Sequence, residues 1–107
     1  MTVKTLIETL DLEVLNLAEP DREITGGYTG DLLSWVMGKA ESGDMWVTIM
    51  TNVNVIAVAS LVDVACVVIA DKADIAPDVI EKARAQGINL LRSDKSSYQL
   101  CNEQILL

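Results

Sequence analysis

Histidine is absent from this 107-residue chain. Its absence removes Ser-His and Cys-His nucleophile systems, His-ligated metal sites and the commonest general base. Phenylalanine is absent too, and aromatic residues make up only 4% of the sequence, so the core must be built from Val, Ile, Leu, Ala and Met. Basic residues are scarce, with 8 Lys and Arg against 16 Asp and Glu for a formal net charge of −8. That balance argues against nucleic acid and against anionic membrane surfaces, because phosphate contacts depend on Lys and Arg. It also favours solubility. The two cysteines, Cys66 and Cys101, form no CxxC pair and cannot complete a four-thiolate zinc site. With no signal-peptide pattern, they read as reduced thiols of a cytoplasmic protein. No cofactor is expected.

What is present is apolar. Half of the residues are hydrophobic, enough for a core without covalent staples, and the length suits a single domain over 1–107. The run from Val47 to Ala70 could be mistaken for a membrane span, but Thr48, Thr51, Asn52, Asn54, Ser60 and Asp63 interrupt it. Flanking bases that would set a topology are missing. Two buried strands with a buried helix between them account for the same run.

Periodicity supplies the rest. Val3, Leu6, Ile7 and Leu10 mark one face of a helix capped by Thr2. Leu12 to Asn16 reads as a strand, "AEPDRE" as a polar loop, and Ile24–Thr25 as a short extended piece before the glycines. Asp31 is expected to cap a helix whose apolar face is Leu32, Leu33, Val36, Met37 and Ala40, ending near Gly43. Met45 to Met50 reads as a strand. Asn52 to Val62 is ambiguous in pattern, yet parallel neighbours need a crossover, so a helix capped by Thr51 or Asn52 is expected. Val64 to Ala70 is the clearest central strand. Pro77 opens a helix with an Asp78–Lys82 pair that Gly87 stops. Ile88 to Arg92 is a strand, and a last helix presents Tyr98, Cys101 and Ile105 on one face. Strands alternating with helices imply an α/β fold with a mainly parallel sheet flanked by helices.

In such sheets ligands bind beyond the carboxyl ends of the strands. Three polar clusters stand there: Thr51, Asn52 and Asn54; Asp71 and Lys72; and Ser93, Asp94 and Lys95. Helix capping alone also places these residue types there. A fourth candidate is the segment Gly26, Gly27, Tyr28, Thr29, Gly30 and Asp31, which holds three of the six glycines. It matches neither a phosphate loop nor GxGxxG, and Asp31 would repel phosphate. Two readings stand: a tight turn needing positive φ, or close approach of a ligand or a second subunit.

The residues Asp21, Arg22, Thr25, Gly26 and Gly27 carry a motif that resembles the DRTGG domain family, with Glu23 and Ile24 inserted. "GYTGDLLSWVM", "NVIAVASLVD" and the tail "IEKARAQGINLLRSDKSSYQL" extend the resemblance over nearly the whole chain. The resemblance implies a three-layer α/β fold similar to the N-terminal domain of HPr kinase/phosphorylase. It also implies an accessory role in regulation or subunit association, as beside the CBS domains of regulatory pyrophosphatases, and it brings no catalytic residue set. Many relatives have a Gln and a His after the third-strand segment, where this chain has Met50 and Asn52.

The expectation is therefore a non-catalytic regulatory or assembly module, homodimeric, with a partner enzyme or a small ligand such as a nucleotide as further partners. Tyr28, Trp35, Trp46 and the final "ILL" are candidates for the exposed contact surface. The alternative is a phosphotransfer or receiver-like domain with Asp71 as the phosphoacceptor.

Overall fold

The computed structural model describes residues 1–103. It is a three-layer α/β domain with one five-stranded sheet in the order β1-β5-β4-β3-β2. The elements are α1 (Val3–Leu10), β1 (Glu13–Asn16), β2 (Gly26–Thr29), α2 (Leu33–Lys39), β3 (Asp44–Thr48), α3 (Val53–Val62), β4 (Cys66–Ile69), α4 (Pro77–Gln86), β5 (Leu90–Arg92) and α5 (Ser97–Glu103).

Two aliphatic cores sandwich the sheet. Val3, Leu6 and Leu10 of α1 and Leu100 of α5 meet Met45, Val47, Cys66, Val68 and Leu91 on one face. Val36 of α2, Val55, Ile56 and Ala59 of α3, and Val79 and Ala83 of α4 meet Trp46, Val67, Ile69 and Leu90 on the other. β3 and β4 are buried on both faces, which explains the apolar runs Met45–Val47 and Cys66–Ile69.

The sheet is mixed. β2 to β5 are parallel, while β1 pairs antiparallel with β5 and carries a bulge between Val14 and Asn16. The direction of β1 follows from the route of the chain. β1 and β2 lie at opposite edges, so residues 17–25 must cross beneath the whole sheet. The crossing runs along the amino ends of the parallel strands. Ala18 and Glu19 bond Asn89 before β5, Arg22 bonds Asp63 before β4, and Thr25 N–H donates to Gly43 O before β3. A strand that delivers the chain to that end has to run against the other four. Nine extended residues reach about 30 Å, and five strands span about 19 Å, so the strap fits with slack.

Local signals hold where backbone chemistry dictates them. Thr2 caps α1 by accepting from Thr5 N–H, and Asn52 caps α3 by accepting from Asn54 N–H. Pro77 opens α4, and Gly87 closes it at φ 70°. Other expectations need correction. α2 ends at Lys39, short of Gly43, and buries only Val36 fully; Leu32 and Met37, expected on its apolar face, are exposed. The ion pair on α4 joins Glu81 to Arg84, in place of Asp78 to Lys82. α5 buries Leu100, while Tyr98 and Cys101 face solvent. Ile105 and the final "ILL" lie outside the described residues.

Candidate functional site

The glycine segment is an edge strand. Gly26, Gly27, Tyr28 and Thr29 form β2 in register with Asp44, Met45, Trp46 and Val47 of β3. None of Gly26, Gly27 and Gly30 has a positive φ; the two positive-φ glycines are Gly43 and Gly87. The tight-turn reading is thereby overturned.

Each glycine has its own reason. A Cβ on Gly26 would stand 2.7 Å from Asp44 Oδ1, and one on Gly30 would stand 2.9 Å from the Tyr28 ring. Among the described residues a Cβ on Gly27 would meet only Met45 O, at 3.5 Å, an ordinary contact. The space beyond Gly27 is a groove of about 400 Å³ lined by Thr25, Gly27, Thr29, Met45, Val47 and Cys101 among others. Ladder partners share a face, so Gly27 and Thr29 lie on the face of Met45 and Val47, yet both are exposed.

The Asp-Arg…Thr-Gly-Gly motif is mainly a fastening. Arg22 donates to both carboxylate oxygens of Asp63, at 3.1 and 3.0 Å, and to its backbone oxygen at 3.0 Å. It thereby closes the C-terminus of α3, where Asp63 sits at φ 66°. Ser42 Oγ adds a 2.6 Å bond to the same carboxylate. The Arg22 bonds, and then the Ser42 bond, hold the Asp63 carboxyl below its usual pKa range. Thr25 Oγ1 occupies the space that a Cβ on Gly43 would need, 2.3 Å away. Sequence reasoning missed Arg22 and Asp63 as partners, because 41 residues separate them. It also missed buried Asn89, whose side chain bonds Ala18, Glu19 and Ala65.

Asp31 is not a helix cap. The residue preceding α2 is Leu32, which makes no side-chain cap bond. The Asp31 carboxylate instead accepts from Thr48 Oγ1 at 2.8 Å and from Ile49 N–H at 3.0 Å, tying the exit of β2 to the end of β3. Trp46 Nε1 donates to Gly30 O at 2.9 Å from within the core, where the ring is 0% exposed. Trp46 therefore leaves the list of surface candidates, and Tyr28 is half-buried. Trp35 is different: it is 58% exposed, with Lys39 Nζ 5.2 Å from its ring centre. Leu32 is 62% exposed and Ile49 45%. Trp35 N–H donates to Leu32 O, and Ile49 N–H donates to Asp31, the residue before Leu32, so the backbone brings these three exposed residues to one corner of the fold.

Thr51 and Asn52 lie elsewhere. With Val53, Asp74, Ile75, Ala76, Asp78 and Val79 they line a crevice of about 580 Å³ between the N-termini of α3 and α4. This crevice shares no residue with the glycine groove. Asn54 is exposed on the first turn of α3 and its N–H is spent on the Asn52 cap. Asp71 and Lys72 both adopt left-handed φ, at 57° and 46°, with their N–H groups donating to Lys95 O and Ser93 O. No group of three or more Cys, Asp and Glu poised to hold a metal occurs among the described residues. No helix among them is long and apolar enough to cross a membrane. Cys66 is fully buried and burial pushes its thiol up to about 12, whereas Cys101 is exposed.

No family model matches the chain, and no curated protein does. Among solved structures it is similar to the CBS and DRTGG domains of the regulatory region of Clostridium perfringens pyrophosphatase, crystallised with the activator diadenosine tetraphosphate. The TM-score is 0.71 at 14% identity, over 94% of this chain and 44% of that one. The likeness is one of fold, and the chain spans less than half the length of that neighbour.

Proposed function

We propose that this chain is a non-catalytic regulatory and assembly module of the cytoplasm, homodimeric through the exposed side of α2, and responsive to a small ligand such as a nucleotide. The observation that carries the reading is the apolar corner of Leu32, Trp35 and Ile49. A soluble domain with few aromatics places one of its two tryptophans, Trp35, mostly in water beside two further exposed aliphatics. Patches of this kind mark interaction sites, and Trp is the residue type most enriched among interface hot spots. Among the helices of its layer α2 packs mainly against α3, and Leu32, Trp35 and Met37 are left exposed to meet a second copy. The regulatory part rests on the fold shared with a pyrophosphatase region that binds a nucleotide activator.

Sedimentation equilibrium tests the assembly. A dimer that Trp35→Ser converts to a monomer, with unchanged melting temperature, is the expected result. A monomer at every concentration contradicts it. For the ligand, a thermal-shift series with AMP, ATP and diadenosine tetraphosphate is the direct test, since a ligand selective for the native state raises the melting point.

A further inference from the structure

The two edges of the sheet are treated differently. β1 is bulged, and its Glu13 and Asn16 side chains are committed to Arg92 and to Ile88 O. Bulges and charges of this kind blunt an edge against further pairing. β2 has neither. It is unbulged, carries no charged side chain, and runs in register with β3 along its whole length. Thr25 N–H is spent on Gly43 O, so alternation along the strand turns the N–H and C=O groups of Gly26 and Tyr28 outward. No bond from another described element reaches them. Beside this open edge lies the Gly27 groove, floored by Met45 and Val47.

Charge decides what fits. Glu23, exposed though also paired with the Met1 ammonium at 3.3 Å, precedes β2; Asp31 follows it; and Asp44, buried and accepting from Glu41 N–H, is Gly26's partner in β3. The nearest cation in sequence, Arg22, is held by Asp63. A second copy paired along this edge would set acids against acids, in a chain already at −8.

We infer that β2 is an acceptor edge for an extended segment of another protein, flanked by basic residues, which adds as a sixth strand and places alternate side chains in the Gly27 groove. Strand addition draws affinity from main-chain hydrogen bonds and selectivity from such pockets. This goes beyond self-association through α2, and it is tested separately.

The probe is a synthetic peptide of alternating Val and Thr with Lys at both ends, titrated into the full chain and followed by fluorescence anisotropy. Saturable binding is expected. Binding should weaken roughly tenfold or more when alternate peptide nitrogens are methylated, because two main-chain bonds are lost. It should weaken similarly for the Glu-ended peptide and in the Gly27→Val chain. No saturable binding, or indifference to N-methylation, overturns the inference. Binding only after deletion of residues 104–107 would make the chain's own tail the occupant and overturn it. So would loss of self-association in Gly27→Val, which would make a second copy the occupant.

Discussion

The Cβ that Gly27 lacks would stand 3.5 Å from the carbonyl oxygen of Met45, with no other contact within 4 Å among the described residues. A side chain there has room. Gly27→Val should therefore fold, with stability unchanged or raised by up to about 1 kcal/mol, since glycine in a strand interior costs conformational entropy. A urea unfolding curve checks this. A large loss of stability would show that the glycine is needed by the fold.

Gly43 gives the opposite result. Its φ is 88°, and an added Cβ would stand 2.3 Å from Thr25 Oγ1. Gly43→Ala should destabilise by about 1–3 kcal/mol, read from the same curves. Pairing it with Thr25→Ala should recover the steric part and leave the φ part.

Asp31 joins two strand ends through Thr48 and Ile49. Thr48 is fully buried, so Asp31→Ala leaves its hydroxyl short of an acceptor and should cost about 1–2 kcal/mol. Asp31→Asn, which keeps an acceptor oxygen, should cost less. Equal losses would contradict the assigned role.

The Arg22–Asp63 and Arg92–Glu13 pairs contribute to the acid limb of the stability curve. Arg22, and then Ser42, hold Asp63 below its usual pKa, and the Arg92 hydrogen bond does the same for Glu13. A carboxyl lowered in the folded state stabilises it above the unfolded pKa, about 4. That contribution is lost as pH falls through the folded value. Asp63→Asn keeps the left-handed backbone accessible. Its deficit in urea midpoint against wild type should be full at neutral pH and shrink below about pH 4. A constant deficit would assign the effect to shape.

The two thiols should separate by reactivity. Cys101 is exposed, whereas Cys66 is buried with its thiol pushed up to about 12. Iodoacetamide should label Cys101 in the native protein and Cys66 only on unfolding. Mass spectrometry of the labelled peptides reads the outcome.

Much of the fold was legible because its signals are local. Thr2, Asn52, Pro77 and Gly87 act within a turn of their own positions, and doubly buried strands leave unbroken apolar runs such as that around β4. The site was legible only in part. Glycine density pointed to Gly26 and Gly27 but misled on conformation, because a bare edge strand and a turn both favour glycine. Asp31 looked like a cap because caps and strand-end clamps use the same carboxylate. The direction of β1 and the clasp of Arg22 on Asp63 depend on the strap beneath the sheet, and contacts separated by 41 residues leave no periodic trace. Trp35 and Trp46 could not be told apart by type; the helix face and the Gly30 carbonyl decide which is buried.

The central claim is that the Trp35 corner is a contact surface, and its most direct test is acrylamide quenching of tryptophan emission across a wide range of protein concentrations. Trp46 is fully buried and supplies a constant shielded background, while Trp35 is open in the protomer. The account predicts that the quenchable fraction falls as concentration rises, and that Leu32→Ser abolishes the fall. A quenchable fraction that stays the same at every concentration would contradict it.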